Sequence, residues 1–216
     1  MLNQIKQEFI YARYLLFETQ HCKLTGHYAD KDTHLDEMLN YGSYSIRLEK
    51  LKTAYRTLYS LFDRSAFLLN AYLGLGIPET NVSFSHIFRN PKIQQLANDN
   101  IAILALRWIS KDFMDVKGIE DIAHTKKLRD IRNALEHKFV TIHTMLAGDE
   151  IKMGDDYIRR ITEDSLFEFT YELIRMMREV IIELTIAVYI EERKKHNPSN
   201  NKVKLSVIEY PDEFKL

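Results

Sequence analysis

Apolar residues recur at three- and four-residue intervals through most of the chain, the pattern of helices that each bury one face. In NQIKQEFIYARYLLFETQ (3–20), Ile5, Phe9, Ala12 and Leu16 form the first such stripe, which Gly26 and the polar stretch HYADKDTH interrupt. From about Ser45 a long second helix follows, with Leu48, Leu51, Ala54, Tyr55, Leu58, Leu61, Phe62, Ser65, Leu68, Leu69 and Tyr72 in helical phase. GLGIP ends it with two glycines and a proline. IPETNVSFSHIFRNP reads as a loop, within which VSFSHIF alternates and allows a short extended piece. A third helix is expected from Lys92 through IQQLANDNIAILALRWISKDFM.

Gly118 separates the next helix, whose start is favoured by Glu120 and Asp121 beside the positive end of the helix dipole. This fourth helix is expected to reach about His143. TMLAGDEIKMGDDYIRR, with two glycines and clustered acids, reads as a loop or weak hairpin. Thr162 then caps a fifth helix, with Glu163 and Asp164 in its first turn and core positions through Ile190. The polar HNPSNN leads to VKLSVIEY, so residues 197–216 are expected to form an edge strand or to stay mobile. The pattern predicts an all-α bundle of about five main helices in one domain spanning residues 1–216.

Composition agrees. Of 216 residues, 45% are apolar and only 7 are Gly and 4 Pro, which favours long helices over many short strands. A net charge of −1 provides no global attraction for a polyanion, so nucleic-acid contact would have to come from a local patch. The single cysteine, Cys22, forms neither an intramolecular disulfide nor a thiolate cage, and no secretory block opens the chain; a cytoplasmic protein is expected. VIIELTIAVYI (180–190) is too short to span a bilayer and contains Glu183, so it reads as a buried helix segment, with no membrane partner.

Candidate chemistry concentrates in LRDIRNALEHKFV (128–140). On a wheel of about 100° per residue, Leu128, Ile131, Leu135, Phe139 and Ile142 fall on one stripe that should face the chain's own core. His137 points nearly opposite. Arg132 lies on the flank, some 140° from His137 on the same wheel, so the two are not a same-face pair. Asn133, one turn before His137, is its neighbour. A second copy of the helix packed antiparallel would bring arginines and histidines of both chains into one cleft. With 13 arginines and 8 histidines, chance supplies on the order of half an RxxxxH match in such a chain, so the identification rests on context.

RNALEH (132–137), with a polar residue directly after the arginine, resembles the RxxxxH signature of the HEPN domain superfamily. LFDRSAFLLNAYLGLGIP (61–78) and VSFSHIF (82–88) resemble a bacterial HEPN subfamily often attached to tetratricopeptide arrays, and the similarity spans roughly residues 45–195. No repeat array precedes it here. The resemblance implies a helical bundle that dimerises around two RxxxxH helices and, in many members, cleaves RNA without a metal or other cofactor. It implies His137 as general base or acid and Arg132 as stabiliser of phosphate charge. Asn133 would orient His137, donate to a phosphate, or simply be solvated. Lys126, Lys127, Arg129 and Lys138 surround the motif as a local cationic patch for an RNA backbone, diluted by Asp130 and Glu136. The implied partners are RNA, a second copy of the chain, and a regulatory or antitoxin protein, in a stress or anti-phage setting.

Plainer explanations stand beside these. Glu136 can pair with Arg132 at the four-residue spacing, and the fold also serves as a non-catalytic RNA- or protein-binding module or as a dimer contact. His21, Cys22, His27 and His34 fit no usual zinc spacing. Glu150 and Lys152 match a metal-nuclease fragment by chance. GLG at 74–76 stops a helix rather than cradling phosphate, and Tyr55, Tyr59, Phe62 and Phe67 follow core spacing rather than that of base-stacking platforms.

Overall fold

A computed structural model describes residues 1–21, 27–32, 36–37, 42–113, 122–143 and 158–195. The expected bundle forms. Helix α1 (Leu2–His21) packs Ile5, Phe9, Ala12 and Leu16 into the core antiparallel to α2 (Ile46–Leu73), with Glu8 paired to Arg64 and Glu18 to Lys50, the latter at 2.6 Å. Helix α7 (Glu163–Lys195) runs parallel to α2. Arg47 meets Glu163 at one end, and the Tyr72 hydroxyl donates to Glu192 at the other, 2.7 Å away.

The long α2–α7 pair follows from seams of alternating three- and four-residue steps. On α2 the buried residues Leu48, Leu51, Tyr55, Leu58, Phe62, Ser65 and Leu69 form such a seam. On α7 they are Leu166, Thr170, Leu173, Met177, Val180, Leu184 and Ala187. A mean step of 3.5 residues keeps one face turned to the neighbour along the whole length. Three hydroxyls lie in these seams and cost little; that of Tyr55 donates to the Leu128 carbonyl at 2.7 Å. Ser65 donates to the Leu61 carbonyl at 2.8 Å and Thr170 to that of Leu166 at 2.6 Å, so none of the three is orphaned.

Caps set the helix ends as expected. Ser45 Oγ accepts the Leu48 N–H, and Gly74 ends α2 in the left-handed region at φ 57°, where a side chain would be strained. Thr162 Oγ1 accepts the Ser165 N–H at 3.2 Å at the start of α7. No described helix is long and apolar enough to cross a membrane. Within VIIELTIAVYI, Val180, Leu184 and Ala187 are buried, whereas Ile182, Ile186 and Tyr189 are exposed, so the segment is amphipathic rather than buried on all sides.

Three expectations are corrected. The third helix is two, α4 (Pro91–Asp99) and α5 (Ile101–Lys111). They break at Asn100, whose backbone is extended and whose N–H bonds to the Leu96 carbonyl to close α4. The Asn100 side chain accepts the Ile103 N–H to open α5, and donates to the Ala187 carbonyl and Glu191 on α7. VSFSHIF contributes a short helix, α3 (Phe84–Ile87), rather than an extended piece. Asp63 on α2 accepts the Phe84 N–H and so holds the first turn of α3.

The fourth helix, α6 (Ile122–His137), stops well short of His143, and the chain turns into strand β3 (Phe139–His143). Val140, Thr141 and Ile142 are successive β-branched residues, which favour a pleated strand over a crowded helix. Strand β3 pairs in parallel with β4 (Ile158–Thr162), Phe139 opposite Ile158, so the pair is not a hairpin. On its other side β3 pairs antiparallel with β2 (Gly42–Ser43), which pairs with β1 (Asp36–Glu37). Gly42 sits at a close approach: a Cβ there would lie 2.3 Å from Thr141 Cγ2.

Leu128, Ile131 and Leu135 are buried as expected, joined by Ala134, but Phe139 is 75% exposed and belongs to no helical stripe. Ile142 is buried from the strand instead. Residues 144–157 and 196–216, including Glu150, Lys152 and the polar tail, lie outside the described residues.

Candidate functional site

Helix α6 is anchored from beneath. The buried Tyr55 hydroxyl of α2 donates to the Leu128 carbonyl at 2.7 Å, while Leu128, Ile131 and Leu135 pack into the core. Burial pushes the Tyr55 phenol far above its usual range, so it stays a donor. With its inner face fixed, α6 must turn the opposite face outward. That face carries Asn133 and His137, both exposed. Lys126 falls about 20° from His137 on the wheel and shares its side.

His137 is the last residue of α6. Among the described residues its ring makes no hydrogen bond, ion pair or ring contact. Arg132 is half-buried and turned elsewhere. Its Nη1 donates to Asn133 Oδ1 at 3.1 Å, and its Cζ lies 6.0 Å from the centre of the Tyr59 ring. Within one chain, therefore, α6 does not bring Arg132 and His137 together, and the Asn133 oxygen is taken by the arginine. No Arg132–Glu136 ion pair forms among the described residues, so the routine explanation of Arg132 does not apply.

What Arg132 does face is α2. Its charge reaches Asp63, as does that of His86, and both favour the Asp63 carboxylate. Burial is the larger effect and leaves the Asp63 carboxyl above its ordinary value. The folded chain thus holds this proton at pH values where the unfolded chain has released it. Stability contributed by Asp63 is present at low pH and is lost as pH rises through the folded-state pKa. Asn can still accept the Phe84 N–H, so Asp63→Asn is expected to keep the fold and remove this part of the decline. Urea midpoints followed from pH 4 upward would check it; an unchanged pH profile would contradict it. Sequence periodicity alone could not find Tyr59 and Asp63, since their role arises from the crossing of α2 and α6.

The cationic patch divides. Lys126 is exposed on the His137 side, and Arg129 is half-buried beside it. Lys127 lies on the other side, lining a crevice of about 30 Å³ with Arg159 and Arg160 of β4, room for about one water. Lys138 borders a larger hollow against α2 and β3. The two β4 arginines were legible only as a dibasic pair in the stretch read as loop.

A family model described as LA2681-like HEPN matches residues 1–191. The chain belongs to this family. Neither a curated protein nor a solved structure matches it. In this HEPN chain the RNALEH signature occupies the last six residues of α6. The family reaches beyond the core expected from the sequence, taking in α1, and its range stops within α7. Membership points to a nuclease or an RNA-binding module, and both need an accessible, phosphate-compatible surface.

Of the other candidates, His21 Nδ1 lies 2.9 Å from the Phe17 carbonyl and the ring stacks on Phe17, while His27 caps a short 3-10 turn. Cys22 and His34 lie outside the described residues. Tyr55 and Phe62 are core as expected, Tyr59 packs against the core, and Phe67 is partly exposed rather than buried.

Proposed function

We propose that this HEPN chain is a metal-independent endoribonuclease that works as a homodimer. The observation that carries the reading is His137, exposed and unengaged at the end of α6, in a stretch that resembles the RxxxxH signature. Imidazole exchanges protons near neutral pH, which suits it to general acid–base work.

The chemistry explains why two copies are needed. Attack of the RNA 2′-hydroxyl on the adjacent phosphorus requires a base for the 2′ proton and a cation for the charge on the phosphorane. It also requires an acid for the departing 5′ oxygen. One copy of the motif offers one imidazole, with Arg132 turned toward α2. Two α6 helices side by side would offer two imidazoles and two guanidinium groups to one phosphate. One histidine takes the 2′ proton as the new O–P bond forms, and the other protonates the 5′ oxygen as the old bond breaks. The products are a cyclic 2′,3′-phosphate and a 5′-hydroxyl. Asn133 would hold or release Arg132, and Lys126, Lys127, Arg129 and Lys138 would contact flanking phosphates. The setting we attach, a stress or anti-phage effector restrained by a regulatory or antitoxin protein, rests on the family resemblance.

One observation favours a non-catalytic RNA-binding module instead, namely the Arg132 guanidinium occupied by Asn133 and Tyr59. Purified protein incubated with labelled single-stranded RNA in excess chelator separates the two readings. Cleavage is expected to persist in chelator and to stop at any mapped bond whose 5′-side nucleotide is replaced by its 2′-deoxy form. Continued cutting at that bond rejects the mechanism; binding without cutting supports the module.

A further inference from the structure

Beside the end of α6 lies a hollow of about 280 Å³ between α2 and β3. It exceeds the roughly 150 Å³ that admits a benzene ring in a protein interior, and it opens to solvent. Phe139, two residues past His137, stands on its rim with three-quarters of its surface exposed. Tyr44 borders the same space, also exposed. An exposed phenylalanine alone needs no explanation, but here it shares a cavity with two cations. Arg56 and Lys138 line the hollow, and among the described residues neither side chain has an ion-pair or hydrogen-bond partner. Lys52 is there too, already neutralised by Glu49 at 2.7 Å.

We propose that this hollow is a subsite for one unpaired nucleobase of single-stranded RNA, stacked on Phe139, with the adjoining phosphate held by Arg56 and Lys138. Aromatic platforms next to unpaired cations are how proteins take splayed bases without reading a duplex. Glu49, already engaged by Lys52, adds little repulsion. The position gives the subsite its use. Lys138 on the rim follows His137 directly in the chain, so the hollow lies at the same end of α6 as the proposed reacting group. The subsite would select unpaired over paired RNA, since a base locked in a helix cannot enter. This inference rests on the ribonuclease reading.

The test measures binding apart from cleavage, by fluorescence anisotropy of a fluorescein-labelled single-stranded RNA on the His137→Ala protein in excess chelator. Adding Phe139→Ala is expected to weaken binding about tenfold, within the range of one lost base–aromatic stack. Phe139→Trp should restore it. RNAs carrying one abasic nucleotide, scanned along the strand, should show one position that weakens the parent similarly but weakens Phe139→Ala no further. Equal binding by Phe139→Ala and its parent overturns the subsite while leaving the nuclease reading intact. A change in subunit association by sedimentation, with Phe139→Ala alone, would make the ring a contact between copies and also overturn it. If the parent binds no RNA, both readings fall.

Discussion

His137→Ala is expected to lower RNA cleavage by about 10²–10⁴-fold, the usual contribution of a positioned general acid or base. If both histidines of a dimer act, one substitution removes both proton-transfer groups from each cleft, which places the loss toward the upper end. The fold should not notice. His137 is exposed, its ring makes no hydrogen bond, ion pair or ring contact among the described residues, and it ends a helix whose buried face lies on the other side. Exposed substitutions of this kind usually change stability by no more than about 0.5 kcal/mol. Unaltered thermal unfolding together with abolished cleavage in chelator is therefore the expected pair of results. Full activity of His137→Ala would place the reacting centre elsewhere, and loss of activity together with the fold would make the histidine structural.

Asn100→Ala should give the largest loss of stability. Its side chain replaces the missing backbone partner at the start of α5, and its amide donates to the Ala187 carbonyl at 3.1 Å and to Glu191 at 2.9 Å. An N-cap contributes about 1 kcal/mol, and a buried bond to a charged group about 1.5–3 kcal/mol. A total near 3 kcal/mol follows, a fall of roughly 6–12 °C in the melting temperature of a chain this size. Asn100→Asp separates the two roles. It keeps an oxygen for the Ile103 N–H but turns a carboxylate toward a carbonyl and Glu191, so it should remain well below the wild type. Wild-type stability in Asn100→Asp would show that the bonds to α7 contribute little.

The same residue shows where sequence reading stops. Helices α1, α2 and α7 were legible because their apolar steps repeat over many turns and their caps, Ser45, Gly74 and Thr162, have side chains or backbones suited to those positions. The break at Asn100 was hidden. Apolar residues continue in phase from Leu96 to Ile103, and an asparagine looks the same whether it faces water or closes two helices. The end of α6 was misread for a related reason. Phe139 and Ile142 lie four and seven residues beyond Leu135, so a strand prolonged the helical period by coincidence. Only the pairing of β3 with β2 and β4, set by residues far off in the chain, decides the matter.

The chemistry divided in the same way. RNALEH was visible as a signature, and the outward turn of His137 followed from the wheel. The engagement of Arg132 with Tyr59 and Asn133, its reach to Asp63, and the hollow beside Phe139 are products of tertiary packing. No spacing along α6 encodes them.

The close approach at Gly42 limits how this face can diversify. Any side chain at 42 would drive a Cβ into Thr141, so β2 cannot be decorated there without lifting away from β3. The rim of the neighbouring hollow is under no such backbone constraint at Phe139, whose side chain is mostly exposed.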